Sequence, residues 1–246
     1  MRTYGLIGQS LKHSFSADYF NSKFQLEGMT DCRYDLFELE SIESLSWLIE
    51  THPDLEGFNV TIPYKEQILP YLYYRDKVVD EIGACNCVKI INHKLYGYNT
   101  DVEGFLKSFI PLFQTYHHSA LILGNGGAAK AVKAALDELS IQSTMVARKP
   151  NSVDEILWDT LSAGTIADNN IIVNATPLGM YPDINSFPPI PYKAITRFHL
   201  VIDLVYNPAK TIFLQKAESQ DATIQNGIEM LEQQAEASWN IWSPAI

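Results

Sequence analysis

Leu121-Ile122-Leu123-Gly124-Asn125-Gly126-Gly127-Ala128-Ala129 decides the fold of this chain, because a run of buried-strand residues breaks into glycines and then becomes a helical segment, Lys130 to Leu139. A dinucleotide's pyrophosphate needs that order. Gly124 permits a tight turn, Gly126 lets the backbone approach a phosphate without a Cβ, and small Ala129 lets the helix pack close to the strand. The helix start then presents unpaired N–H groups and the positive end of its dipole to an anion. Gly127 and Ala128 complete the turn.

Working outward, the next strand, Ser143 to Ala147, ends in Arg148-Lys149. NAD-binding units place an Asp or Glu about 20 residues beyond the first glycine to hold the ribose 2′-hydroxyl. Two cations stand there instead, which suits a 2′-phosphate and therefore NADP. Arg148 offers a forked, charge-assisted contact; Lys149 reads equally well as a solvated residue at a strand end.

Strands are expected at Ala120–Leu123, Ser143–Ala147, Ile171–Asn174, Leu200–Leu204 and near Thr223–Gln225, which makes this half an α/β unit of Rossmann type. The first hundred residues also alternate. They read as strand Thr3–Gly8, helix Ser16–Glu27, strand Arg33–Leu39, helix Ser44–Thr51 and strand Gly57–Val60. A short helix from Tyr64 to Leu69, an irregular stretch and a hairpin around Asn92-His93 follow. Thr100-Asp101-Val102-Glu103 reads as a capping box opening a helix toward Ile110, a candidate link between two domains. The tail, Ile228–Trp242, is helical, with apolar Ile228, Leu231, Ala235, Trp239 and Trp242 at core-packing spacing. Pro182–Pro191 is expected to form an ordered loop.

Composition narrows the function. A chain of 246 residues has room for one large domain or two modest ones, and a formal charge of −11 disfavours nucleic acid and anionic membrane surfaces, which need clustered Lys and Arg. No apolar run approaches the roughly 18 to 20 residues of a membrane span. Met1-Arg2-Thr3-Tyr4-Gly5 enters a strand directly, where a signal peptide would open differently, so a cytoplasmic protein is expected. Cys32, Cys85 and Cys87 form no C-x-x-C and read as reduced apolar residues. His93 and His117-His118 lack zinc-ligand spacing; they read as surface or loop residues, and no metal is expected.

Polar stretches gather at element ends: Ser14-Phe15-Ser16, Asn59 to Lys65, Gly83-Ala84-Cys85-Asn86 and Asn99-Thr100-Asp101. Ser16 alone would serve as a helix cap. Together the set is rich in hydroxyl and amide groups and suits a polyhydroxylated small molecule.

These stretches, with Asn99 to Phe105, Gly124 to Ala129, Asn174-Ala175-Thr176-Pro177-Leu178-Gly179-Met180 and Asp203-Leu204-Val205-Tyr206-Asn207-Pro208, resemble the shikimate dehydrogenase family in order and over nearly the whole chain. The resemblance implies two α/β domains: a substrate domain of residues 1–103 and 226–246, completed by returning C-terminal helices, and an NADP-binding domain of residues 104–225. It implies NADP-dependent reduction of 3-dehydroshikimate to shikimate, on the route to chorismate and the aromatic amino acids, with Lys65 and Asp101 as the catalytic pair. Ser14, Ser16, Asn59, Thr61, Asn86, Asp101 and Gln234 would hold the substrate, with Tyr206 close by. Gly124, Asn125, Gly126, Gly127, Ala128, Arg148, Lys149 and Thr176 would hold NADP, with the Gly227 backbone near the nicotinamide. Where the family commonly has Asn-Arg-Thr, this chain has Ala147-Arg148-Lys149, and Pro150-Asn151-Ser152-Val153 supplies no second Arg. The chain is also short for the family, as trimmed loops would make it. A quinate/shikimate dehydrogenase and a catalytically silent NADP-binding sensor are the alternatives. The oligomeric state is open between monomer and homodimer.

Overall fold

The computed structural model describes residues 1–11, 14–150 and 152–243. The chain divides into two compact units, Met1–Thr100 together with the segment from Gln234 onward, and Asp101–Gln233.

The first unit runs β1 (Arg2–Gly8), α1 (Phe15–Leu26), β2 (Cys32–Glu38), α2 (Leu45–Thr51), β3 (Leu55–Val60), α3 (Tyr64–Gln67), β4 (Tyr74–Arg75), α4 (Lys77–Ile82), β5 (Cys87–Ile91) and β6 (Lys94–Tyr98). Its sheet has the order β2-β1-β3-β5-β6-β4. The pairs β2-β1-β3 are parallel, β3-β5-β6 antiparallel, and β4 lies parallel to β6. The hairpin turns at Asn92 and His93, both at positive φ, the twist that suits a two-residue connection. The stretch read as irregular contains β4 and α4, and α4 carries ordinary signals: Asp76 accepts from the Val79 N–H at 2.7 Å, and Gly83 ends the helix at φ 66°.

Strand alternation gives this sheet two apolar faces. Ile7, Leu45, Leu48, Phe58, Tyr64 and Ile68 fill one. The other holds Tyr4, Phe20, Tyr34 and the tail residues Trp239 and Trp242. The Trp242 ring stacks on Tyr4 with centroids 5.1 Å apart, and its Nε1 donates to the Val88 carbonyl at 2.9 Å. Gly57 makes room for it, since a Cβ there would lie 2.5 Å from the indole.

The second unit runs α5 (Asp101–Phe109), β7 (Ser119–Leu123), α6 (Gly127–Glu138), β8 (Gln142–Ala147), β9 (Glu155–Leu157), α7 (Ala163–Ala167), β10 (Ile171–Asn174), β11 (Leu200–Asp203), α8 (Ile212–Glu218) and β12 (Thr223–Gln225), followed by the start of α9 (Ile228–Trp242). All strand pairs are parallel, in the order β12-β11-β10-β7-β8-β9. Counted within this unit the order is 3-2-1-4-5-6, that of a dinucleotide-binding doubly wound sheet, and it reverses between β7 and β10. β10 and β11 are buried at every position, which explains their unbroken apolar runs. The core on one face gathers Leu121, Leu123, Val146, Ile172 and Val201 against Ile166, Phe213 and Leu214. Ile190 and Ile195, from and just after the proline-rich loop, also enter this core.

His117 lies in the loop before β7, as expected, but is buried there, with its Nδ1 accepting from the Gln114 N–H at 3.0 Å, and burial lowers its pKa. His118 is exposed. All three cysteines are free; burial pushes the Cys85 thiol up to about 12 and raises Cys87 as well. Among the described residues no helix is long and apolar enough to cross a membrane.

Candidate active site

In the first unit the polar residues converge on the carboxyl ends of β1 and β3 and on one face of α9. Asn59, near the end of β3 and only 4 % exposed, has both amide hydrogens directed at protein acceptors, the Asn86 carbonyl at 3.2 Å and Ser238 Oγ at 2.8 Å. Its Oδ1 accepts from the Tyr34 hydroxyl at 2.9 Å. Asn86 Oδ1 accepts from the Thr100 N–H at 2.7 Å, and its Nδ2 donates to Thr100 Oγ1 at 3.0 Å and to Gln234 Oε1 at 3.4 Å. Ser238 Oγ lies 3.1 Å from Thr100 Oγ1 and donates to the Gln234 carbonyl at 2.9 Å. Asn59, Asn86, Thr100, Gln234 and Ser238 therefore form one buried cluster. Gln234 and Ser238 share a helix face because they are four residues apart.

Sequence reading missed Ser238. The signal was available: a serine one turn after Gln234, on the face that also carries Trp242, another turn on.

Ser14, and not Ser16, caps α1; its hydroxyl accepts from the Ser16 N–H at 3.3 Å. Ser16 is buried beside the Tyr34 hydroxyl, whose pKa is raised chiefly by its own burial. Thr61 and Lys65 are half-buried on the turn from β3 into α3, where the Tyr64 N–H donates to the Thr61 carbonyl at 2.9 Å. The Lys65 carbonyl accepts from the Cys85 N–H at 2.8 Å, which fastens this turn to the segment carrying Asn86.

In the second unit Asp101 opens α5 and is buried. The glycine loop follows β7. Gly124 sits at φ 117°, and a Cβ there would press on the Ala175 carbonyl at 3.2 Å, so the position requires glycine. Gly126 is the N-cap of α6 and supplies no side chain to cap its first turn; a Cβ on Gly126 would meet no protein atom within 4 Å. The first turn of α6 therefore has no side-chain cap and opens beside Gly126 onto space free of protein atoms. Gly127 and Ala128 form the first turn of the helix, which starts three residues earlier than the sequence suggested.

Across the switch point, the Thr176 N–H and hydroxyl donate to Asn174 Oδ1 at 3.1 and 2.6 Å. Asn174 Nδ2 donates to Asp203 Oδ1 at 2.9 Å. Asp203 also accepts from the Val205 N–H at 3.0 Å and the Thr211 hydroxyl at 2.5 Å. Burial raises the Asp203 carboxyl to about 6 against these hydrogen bonds, which favour its charged form. Asn174 and Asp203 thus hold the loop that carries Thr176. Gly227 admits no side chain, because a Cβ would fall 2.1 Å from the Leu204 carbonyl oxygen. Tyr206 is half-buried after β11, and Arg148 and Lys149 are exposed at the exit of β8. Asn125 Nδ2 donates to Glu155 Oε2 at 3.2 Å.

Comparison with known proteins gives this geometry its kinship. Residues 6–88 match the model of the shikimate dehydrogenase substrate binding domain. The shikimate dehydrogenase (NADP(+)) of Clostridium beijerinckii is 39 % identical over 256 residues, covering 98 % of this chain and 92 % of that protein. The chain belongs to the shikimate dehydrogenase family. Among solved structures of the family, shikimate dehydrogenase 1 from Peptoclostridium difficile is 34 % identical with a TM-score of 0.86, covering 98 % of this chain and 91 % of that one. Shikimate 5-dehydrogenase from Thermus thermophilus, solved with NADP(H) and shikimate, is 27 % identical with a TM-score of 0.88, covering 100 % of this chain and 95 % of that one.

Proposed function

We propose that this chain catalyses the NADP-dependent, reversible reduction of 3-dehydroshikimate to shikimate, a step toward chorismate and the aromatic amino acids. The observation that carries this reading is the buried amide and hydroxyl cluster of Asn59, Asn86, Thr100, Gln234 and Ser238, in a chain of this family. A ring acid bearing several hydroxyls needs groups of that kind held in fixed geometry.

Substrate binding belongs to the first unit. Ser14, Ser16, Thr61, Asn86 and Gln234 are its contacts, with Asn59 acting through its remaining oxygen lone pair and through the Asn86 segment that it holds. Cofactor binding belongs to the second unit. The glycine loop and the α6 N-terminus take the pyrophosphate, Arg148 takes the 2′-phosphate with Lys149 beside it, and Thr176 and the backbone at Gly227 border the nicotinamide side, with Tyr206 close to the substrate. When bound, NADPH supplies the hydride.

Lys65 donates the proton that the developing alkoxide needs and stabilises its charge. Asp101 accepts a hydrogen bond from a hydroxyl of the substrate and orients it. The N-terminal position of Asp101 on α5 also complements that helix's dipole, and the two roles are compatible.

The test follows the loss of NADPH with 3-dehydroshikimate, then the reverse reaction with shikimate or quinate and either cofactor. Turnover of 3-dehydroshikimate with NADPH, and shikimate oxidised in preference to quinate, supports the reading. Equal turnover of both acids moves the chain to the quinate/shikimate dehydrogenases, and binding of NADP without turnover makes it a sensor.

A further inference from the structure

The edge of the nucleotide-binding sheet departs from the usual plan. β8 ends at Ala147 and β9 starts at Glu155, so residues 148 to 154, seven in all, connect two parallel strands. A parallel crossover ordinarily takes about a dozen residues or more, most often a helix. So short a connection cannot carry the chain back along the whole of β8. The register shows the result: Met145 pairs with Glu155, Val146 with Ile156 and Ala147 with Leu157, all at the carboxyl end of β8. The first residue of β9 is thereby delivered beside the glycine loop.

Side-chain direction completes the placement. Ile156 packs into the core with Val146 and Ile166, so the period-two alternation turns Glu155 to the opposite face. There Asn125, between Gly124 and Gly126, holds the Glu155 carboxylate at 3.2 Å. Lys133 of α6 lies 3.9 Å from the neighbouring Asp154.

We propose that Glu155 is a specificity residue that limits this chain's preference for NADP over NAD. The inference rests on the reading that the second unit binds the dinucleotide. In NAD-binding units the acidic residue sits at the end of the second strand, where this chain has exposed Arg148. Here an acid tied to the glycine loop comes instead from the third strand, on the side where the proposal places the ribose. A carboxylate accepts a hydrogen bond from a 2′-hydroxyl and repels a 2′-phosphate. Arg148 and Glu155 thus pull the choice in opposite directions.

The test is calorimetric titration of the full chain and of Glu155→Gln with NADP and with NAD at low salt. The Gln oxygen still accepts from Asn125, so the loop keeps its anchor, and an unchanged melting temperature confirms it. Removing the charge is expected to tighten NADP binding by about five- to tenfold and to leave NAD unchanged or weakened, with the NADP gain shrinking at about 0.5 M salt. Equal changes for both cofactors, or no change for either, overturn the proposal. Arg148→Ala, titrated in parallel, reports separately on the underlying reading. Loss of NADP affinity there with a flat Glu155→Gln result condemns only the role of Glu155, whereas wild-type protein that binds neither cofactor condemns both.

Discussion

Asn59 donates a 2.8 Å hydrogen bond to Ser238, a residue 179 positions later in the chain, and both side chains are buried. This bond fastens the exit of β3 to the C-terminal helix. Ser238 therefore supports the buried polar cluster proposed to hold the substrate. Replacing it with Ala leaves an Asn59 N–H buried without its acceptor, at a cost of about 1–3 kcal/mol. Ser238→Ala is expected to lower the denaturation midpoint accordingly and to raise KM for shikimate more than it lowers kcat. An unchanged midpoint and an unchanged KM would show that the cluster tolerates its loss.

Two glycines should respond in opposite ways. A Cβ at Gly227 collides with the Leu204 carbonyl, and strain of that kind costs about 1–3 kcal/mol or more. Gly126→Ala meets open space within the protein, so its stability should match wild type while NADP binding weakens. Thermal melts with and without NADP separate the two cases. A destabilised Gly126→Ala protein with normal NADP affinity would contradict the phosphate placement.

Asp203 gives a pH prediction with a definite sign. Its folded-state pKa of about 6 lies above the ordinary value of 3.8. Between those values the folded protein holds a proton that the unfolded chain releases. The contribution of this group to stability is therefore fully present below 3.8 and is lost as pH rises through 6, a swing of up to about 3 kcal/mol. Denaturation of wild type and Asp203→Asn at pH 4.5 and 7.5 should show the difference between them moving in favour of wild type at the lower pH. A constant difference would mean that Asp203 does not titrate in this window.

Arg148 is exposed at the exit of β8, so its removal should not unsettle the fold. An Arg paired with a phosphate contributes on the order of 1.5–3 kcal/mol, or roughly tenfold to a hundredfold in affinity. Arg148→Ala should weaken NADP by about that factor and leave NAD nearly untouched. Equal losses for both would assign Arg148 to the fold.

The glycine turn after β7 was legible because the strand-to-helix connection constrains the backbone itself: Gly124 needs its positive φ, and Gly126 is the N-cap of α6. Buried parallel strands such as β10 and β11 were legible as unbroken apolar runs. The hidden parts depend on tertiary partners. The sequence places Ser238 on the Gln234 face, but only the fold makes it the acceptor for Asn59, or Asp203 the anchor of Asn174. β9 is three residues long and forms only because β8 offers an open edge, and α4 is a single capped turn or so that no long periodicity announces. His117 differs: its ring partner, the Gln114 N–H, is local, and only the packing around the ring buries it.

The central claim is that Lys65 supplies the proton in a shikimate dehydrogenase reaction. Steady-state rates of wild type, Lys65→Ala, Asp101→Ala and the double variant, with 3-dehydroshikimate and NADPH, test it most directly. A positioned proton donor contributes about 10²- to 10⁴-fold in rate, so Lys65→Ala should lose kcat on that scale with a much smaller change in KM. The double variant should lose less than the product of the single losses, because residues that serve one step are non-additive. A Lys65→Ala enzyme with near-normal kcat and a raised KM would contradict the account, confining Lys65 to substrate binding and leaving the proton to come from Asp101 or water.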